Sequence, residues 1–304
     1  MISTKPNIPL GERIVAHIQL ADPITWISAS VTALCGALAS GKGIGFNPTE
    51  PRHWGLVALG AVLTGPLCTG FSQSINDYYD RDLDAINDPT RPIPSGRVSL
   101  LAARINWITL AVLTFVISLL FLNPWIVILT IIGLILSAIY SVPPIKLKKN
   151  FWLGPPAVGV GYVAISWMCG HLIFAPLTIE SVITAIANGG LAAGLIFLND
   201  IKSIEGDRRL GMKSMTVALG VHRTLIVAYV TINLFEFVLL ILSLNRGNYW
   251  VGGFICLGLV VPLYNQVRLY REPTHANFKR YLLVSNPFIA LTQIISAFMV
   301  GGYI

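Results

Sequence analysis

The 304-residue sequence is poor in charge: only 12% of its residues are Asp, Glu, Lys or Arg, against roughly 25% in a soluble domain. That deficit, with 54% hydrophobic residues and a mean hydropathy of +0.70, excludes an ordinary water-soluble globule and points to an integral membrane protein. Cysteine is sparse. Cys35, Cys68, Cys169 and Cys256 lie far apart in apolar segments. No CxxC or Cys/His ligand spacing exists, so they read as small buried residues. Alternation of apolar and polar residues is missing, which argues against a β-barrel. The first 20 residues scatter Glu12, Arg13 and His17 among apolar positions and lack the basic, apolar, cleavage-site order of a signal peptide. No disordered tail or soluble domain is evident. The chain therefore reads as one transmembrane domain, 1–304, with 1–20 as a cytoplasmic N-terminal segment.

Long apolar runs are what the chain has. A helix needs about twenty apolar residues to span a bilayer. Stretches 22–41, 55–76, 101–122, 125–142, 155–174, 179–199, 222–243, 250–267 and 282–302 meet or approach that length. The expected fold is all-α, with about nine transmembrane helices. Pro66, Pro143 and Pro262 are expected to kink or end their helices, and Asn123-Pro124 to turn the chain between the third and fourth spans. Of the 21 Lys and Arg residues, all but Lys42, Arg52 and Arg246 fall on one side of this arrangement. The asymmetry puts the N-terminus and the loops after even-numbered spans in the cytoplasm. The net charge of +7 is thus mainly topological and not a nucleic-acid footprint.

The acidic residues cluster at two span ends on that same side. Charge at mid-bilayer costs at least ~2.5–3.5 kcal/mol, so such groups belong at helix ends or in polar cavities. In the first cluster, Asn76, Asp80 and Asp84 recur every four residues. On a helix each step of four turns the side chain by only about 40°, so three oxygens line one face. Mg²⁺ shares itself between a few carboxylates, water and substrate phosphate, so the row suggests a diphosphate held through Mg²⁺ at a membrane surface. A solvated acidic helix end is the plainer alternative. Asp77 either supports the set or turns outward. In the second cluster, Asp200 and Asp207 share a face if helical, while Gly206 weakens the helix and permits a loop. Two facing carboxylate sets would clamp two Mg²⁺ ions on one diphosphate. A salt-bridged loop pairing Lys202 with Glu205 is the competing account. Basic partners stand nearby: Lys146, Lys148 and Lys149 end the fourth span, and Arg91 is stiffened by the prolines of Thr90-Arg91-Pro92-Ile93-Pro94.

These stretches resemble the UbiA superfamily of intramembrane prenyltransferases over nearly the whole chain. The family's first motif, NDxxDxxxD, is matched by Asn76, Asp77, Asp80 and Asp84. The resemblance implies nine helices around a central cavity, two Mg²⁺ ions, and a lateral opening to lipid for an isoprenoid tail. Stretches 76–97, 140–148 and 199–211 are most similar to the branch of chlorophyll and bacteriochlorophyll synthases. Many family members carry DxxxD in the second motif. Here Ser203 replaces its first aspartate, as in that branch, so Asp200 and Asp207 are assigned to the second metal with Glu205 in reserve. The implied reaction moves a geranylgeranyl or phytyl group from its diphosphate to the propionate of a chlorophyllide or bacteriochlorophyllide. A propionate with a pKa near 4.3 is already an anion and needs no general base. Asn76, Asp80 and Asp84 are the implied ligands of the first Mg²⁺; Arg91, Lys146, Lys202 and Lys213 contact diphosphate or the acceptor carboxylate, and Tyr140 either supports the cavity mouth or anchors the interface. Trp26, Phe151, Trp152 and Trp167 are candidate walls for the macrocycle, interface anchoring being their other role; His171, a conceivable ligand for the macrocycle's magnesium, falls toward the side opposite the motifs, which disfavours that role. The enzyme is expected in a cell inner or photosynthetic membrane, with pigment-biosynthesis or assembly proteins as partners and no nucleic acid. Another acceptor, an aromatic quinone precursor or geranylgeranylglyceryl phosphate, is the enzymatic alternative. A transporter or scaffold with a cation site is the non-enzymatic one.

Overall fold

The structure, a computed structural model, describes residues 9–41, 45–209 and 214–304. Among them every regular element is helical. In chain order these are α1 (Leu10–Leu20), α2 (Pro23–Ala39), α3 (Pro51–Asn87), α4 (Leu100–Leu119), α5 (Pro124–Ser141), α6 (154–172), α7 (Ile179–Arg209), a short α8 (Met215–Leu219), α9 (Val221–Asn245), α10 (Tyr249–Arg271) and α11 (His275–Val300). All nine apolar runs fall on helices. Among the described residues seven are long and apolar enough to cross a membrane: α3, α4, α5, the 179–199 part of α7, α9, α10 and α11. The other two runs are α2, an apolar helix of 17 residues, and α6, which contains a π-helical segment, Gly159–Ala164.

Local chemistry sets the helix starts. Asn123 accepts a hydrogen bond from the Trp125 N–H just ahead of Pro124. Ser99, Asn248 and Thr274 accept in the same way from Ala102, Val251 and Asn277. The prolines act differently from one another. Pro66 sits inside a π-helical segment, Leu63–Thr69, which lets α3 continue without a break. Pro143 lies just past the end of α5. Pro262 is tolerated within α10. Gly206 opens no loop, because α7 runs on to Arg209; one glycine costs a helix only about 1 kcal/mol.

Consecutive helices pack side by side, and α11 returns against α2, so the neighbours form a ring. α2 crosses α6 closely. A methyl group added at Gly36 would collide with the Trp167 carbonyl, and one at Gly170 with the Ala33 carbonyl; small residues let membrane helices approach in this way. The largest core joins Trp167, Leu191, Leu198, Leu225, Leu239 and Ile255. The outer face of α4 exposes Leu101, Ile105, Ile108 and Val112, a stripe suited to lipid tails. His171 is fully buried at the end of α6. Its Nδ1 lies 2.9 Å from the Ser181 hydroxyl and its Nε2 3.0 Å from the Pro176 carbonyl, while Trp167 Nε1 donates to Ser181. Both rings are core components, so Trp167 does not wall an open slot.

Candidate active site

The last turns of α3 carry the first acidic motif. Their rotation is fixed from behind by Tyr78, which packs with Ala16, Leu20 and Ala103. Arg104 Nη2 donates to the Tyr78 hydroxyl at 2.7 Å, and Arg81 Nη1 to the Tyr78 carbonyl at 2.8 Å. With that face held, Asp77 and Asp84 are buried, at 9% and 8% exposure. Asp82, by contrast, presents its side chain to solvent.

The expected single row of oxygens is partnered as two pairs. Lys148 Nζ donates to Asn76 Oδ1 at 2.6 Å and also bonds Asp80 Oδ2. Lys146 Nζ lies 3.1 Å from the other oxygen of Asp80, and the Ser141 hydroxyl donates to Asn76 Oδ1 at 3.3 Å. Arg91 Nη1 joins the second pair, 2.7 Å from Asp77 Oδ1 and 3.3 Å from Asp84 Oδ2. Asp77 therefore turns inward. Burial works against the charge on Arg91, but Asp77 and Asp84 overcome it and hold the guanidinium above the ordinary arginine range. Burial pulls Lys148 below the usual lysine range, with Asp80 pulling the other way.

Two loops deliver these cations. After α3, Asp88 accepts from the Thr90 N–H and hydroxyl, bonds that lower its pKa. Arg97 ties the loop down through the Thr90 carbonyl and Gln19 Oε1, both at 2.6 Å. Arg91 is thus held over the acids by a braced turn. After α5, Pro143 and Pro144 cannot donate backbone hydrogen bonds. Lys146 takes a left-handed conformation (φ 41°) and a 3₁₀ turn follows, Leu147–Lys149. Asn150 then accepts from the Trp152 and Leu153 N–H groups. This path brings Lys146 and Lys148 to one carboxylate and leaves Lys149 exposed.

A cavity lies between α3, α5 and α6, with Ser72, one helical turn before Asn76, in its wall. Its walls include Thr64, Cys68 and Ser72 of α3, Gly133 and Tyr140 of α5, and Tyr162 of α6. Both π-helical segments contribute to it. The Thr64 hydroxyl donates to the Gly60 carbonyl at 3.1 Å and Thr69 to the Thr64 carbonyl at 2.9 Å, and Tyr162 donates to Ser72 at 3.3 Å. With their hydroxyls engaged, these residues present a largely apolar wall. Tyr140, the residue expected to support the cavity mouth, is one of the lining residues.

Among the described residues no three His, Cys, Asp or Glu side chains converge as a metal site. Asp80, Asp84 and Asn76 Oδ1 nonetheless offer the hard oxygens that suit Mg²⁺, which takes one or two carboxylates and completes its shell with water and substrate phosphate. The residues fit a metal shared with an anion better than one caged by protein. The second motif lies on the last turns of α7, but the side chains of Asp200, Lys202, Glu205 and Asp207 lie outside the described residues, as does Lys213. Sequence reasoning placed Lys148 in the right stretch without assigning it a role and missed Ser141. The only signal was the lysine run after two prolines.

Residues 29–291 match the UbiA prenyltransferase family. The chain is 35% identical to the bacteriochlorophyll synthase 34 kDa chain of Chloroflexus aurantiacus, over 90% of this chain and 88% of that protein. It is 33% identical to the chloroplastic chlorophyll synthase of Oryza sativa, over 92% and 75%. A solved structure described as digeranylgeranylglyceryl phosphate synthase in membranes superposes with a TM-score of 0.75 at 21% identity, over 95% of this chain and 99% of that one. A UbiA homolog from Archaeoglobus fulgidus bound to GPP and Mg²⁺ gives 0.67 at 20% identity, over 94% and 99%. These structural likenesses speak to the fold, and the sequence matches to the family. The chain, a multi-pass integral membrane protein whose acid-bearing helix is met by a lysine loop and an arginine loop, belongs to the UbiA prenyltransferase family and is a prenyltransferase.

Proposed function

We propose that the protein is a Mg²⁺-dependent (bacterio)chlorophyll synthase, which transfers a geranylgeranyl or phytyl group from its diphosphate to the propionate carboxylate of chlorophyllide or bacteriochlorophyllide. The observation that carries this reading is the meeting of Lys146 and Lys148 on Asp80 beside Asn76, in a chain similar to pigment synthases over about nine-tenths of its length. The allylic C–O bond to diphosphate breaks and its electron pair leaves with the diphosphate. A propionate oxygen forms the new C–O bond. The acceptor is already an anion at neutral pH, so the site must supply charge and position and no base.

Asn76, Asp80 and Asp84 would hold the first Mg²⁺, and Asp200 and Asp207, with Glu205 as substitute, the second. When bound, the ions neutralise charge growing on the leaving diphosphate. Lys146 and Lys148 contact diphosphate oxygens, and Lys202 and Lys213 complete the cationic lining. Arg91 orients Asp77 and Asp84. Ser141 and Lys148 hold the Asn76 amide oxygen, and Lys148 would have to release it for that oxygen to ligate a metal. The apolar cavity that Tyr140 lines takes the first part of the tail and keeps water from the allylic cation. The loops that bear these residues face the cytoplasm.

Membranes containing the protein should convert geranylgeranyl diphosphate and chlorophyllide a or bacteriochlorophyllide a to an extractable pigment ester, and only with Mg²⁺. Consumption of diphosphate with neither pigment esterified would remove the pigment assignment and leave the family. The likeness to digeranylgeranylglyceryl phosphate synthase makes geranylgeranylglyceryl phosphate the acceptor to try next.

A further inference from the structure

A cationic patch lies behind the acidic motif, where α3, α4 and α1 meet. Arg104 sits in the second turn of α4, a helix long and apolar enough to cross a membrane. Leu101 precedes it by three residues and Ile108 follows it by four, so the three share a face. Arg104, Leu101, Ile105 and Ile108 are all exposed. A charge on such a face is costly in contact with lipid, and an arginine ordinarily snorkels along its stem toward water. Arg104 is tethered instead. Its Nη2 donates to the Tyr78 hydroxyl at 2.7 Å and its Cζ stands 5.7 Å from the Tyr78 ring centre. Tyr78 is itself buried, against Ala16, Leu20 and Ala103.

A second arginine stands on the same ring. Arg81 Cζ is 5.5 Å from its centre, and Arg81 Nη1 is fixed to the Tyr78 carbonyl at 2.8 Å. Neither charge is balanced nearby. Among the described residues, Tyr78 and Tyr79 are the side chains that act on the charge of Arg104, and neither is a carboxylate. The described acid beside Arg81 is Asp82, 3.8 Å away with its side chain in solvent, a pairing that water weakens. The acids of the motif are already engaged, Asp77 and Asp84 by Arg91 and Asp80 by Lys146 and Lys148. α1 adds a stripe of its own to the surroundings, for Leu10, Ile14 and Ile18 are exposed as well.

The patch thus joins uncompensated positive charge to an uncovered apolar face. Free phosphate would meet the charge and leave the face bare. A zwitterionic headgroup brings its own cation. An anionic phospholipid answers both needs: a guanidinium has five N–H donors and takes phosphate oxygens in pairs, while acyl chains cover the stripe.

We propose that Arg104 binds the phosphate of an anionic phospholipid whose acyl chains lie along Leu101, Ile105 and Ile108, that Arg81 adds to the attraction, and that the lipid steadies Tyr78 and with it the last turns of α3. The site is separate from the diphosphate site and does not depend on the proposed pigment reaction.

Detergent-purified protein would be titrated with dioleoylphosphatidylglycerol or dioleoylphosphatidylcholine, with bound lipid counted by native mass spectrometry and melting followed in parallel. The wild type should bind the anionic lipid about tenfold more tightly and melt roughly 4 °C higher with it. Arg104→Gln should weaken that lipid about fivefold, the effect of one basic residue at an anionic surface. Arg81→Gln, which leaves the bond from Arg104 to Tyr78 in place, should weaken it at least about twofold and carries the test should Arg104→Gln not fold. Tyr78→Phe keeps both charges and should keep the preference, and Arg52→Gln, at the other end of α3, should not alter it. Equal binding of the two lipids by the wild type, an unchanged preference in both arginine variants, or a loss in Tyr78→Phe as large as in Arg104→Gln would each overturn the proposal. Displacement of the anionic lipid by inorganic phosphate, but not by chloride at equal ionic strength, would overturn it too, by assigning the patch to a free anion.

Discussion

Lys148→Met tests the site most directly. Lys148 joins two groups of the motif, donating to Asn76 Oδ1 at 2.6 Å and bonding Asp80, with its side chain only 14% exposed. Methionine keeps the apolar stem and removes the charge. Asp80 is not stranded by the change, because Lys146 still stands 3.1 Å from it. A hydrogen bond to a charged group contributes about 1.5–3 kcal/mol, and relief of burying the ammonium offsets part of that. The net loss of stability should stay below ~2 kcal/mol, a few degrees of melting temperature. Transfer should suffer far more. Removing one fixed stabiliser of developing negative charge typically costs 10²–10³ in rate, or about 2.7–4 kcal/mol. Lys146→Met, which removes a contact to Asp80 alone, should cost about tenfold less. The assay is the initial rate of pigment-ester formation at saturating Mg²⁺ and diphosphate, alongside a thermal melt. A Lys148→Met enzyme within threefold of wild type, with an unchanged Mg²⁺ requirement, would refute the assigned role.

Other outcomes follow from the same contacts. Asp80→Asn should abolish transfer while the protein stays in the membrane, whereas Asp82→Asn, whose side chain is 91% exposed, should change the rate less than twofold. Because burial holds Lys148 below the ordinary lysine range, its charge is lost at lower pH than a free lysine's. The alkaline fall in kcat/KM should therefore begin below pH about 10.4 and move upward in Lys148→Arg. At Gly133 an added Cβ would rest 3.5 Å from Cys68 Sγ, so alanine fits but leucine must enter the cavity; Gly133→Leu should penalise geranylgeranyl diphosphate at least tenfold more than geranyl diphosphate in competition. Gly170→Ala should lower the melting temperature, at a cost of about 1–3 kcal/mol, because its methyl meets the Ala33 backbone.

The helical architecture was legible because bilayer thickness imposes a length that sequence displays. The acid face of α3 was legible because a spacing of four survives in any helix. Its division into two pairs was less so. Asp77 and Asp84 are seven apart and share a face by the same rule, but only the path of the 88–99 loop decides that Arg91 serves both. The reach of Lys148 depends on a left-handed residue at Lys146 and a 3₁₀ turn, and nothing periodic announces either. The π-helical segments likewise carry no compositional mark. At Gly206 the helix continues, because a single glycine costs a helix only about 1 kcal/mol.

The cations on the motif have a thermodynamic consequence. Asp77, Asp80 and Asp84 are matched by Arg91, Lys146 and Lys148, so the cluster is close to neutral as a whole. A neutral cluster has little pull on a free divalent ion and little on a free diphosphate. Under the proposed chemistry the two are welcomed only together: the acids give up lysines for metal as the lysines give up acids for phosphate. Each ligand then raises the affinity for the other by the same factor. With neither ligand bound, the lysines rest on Asp80 and the site supplies its own counterions.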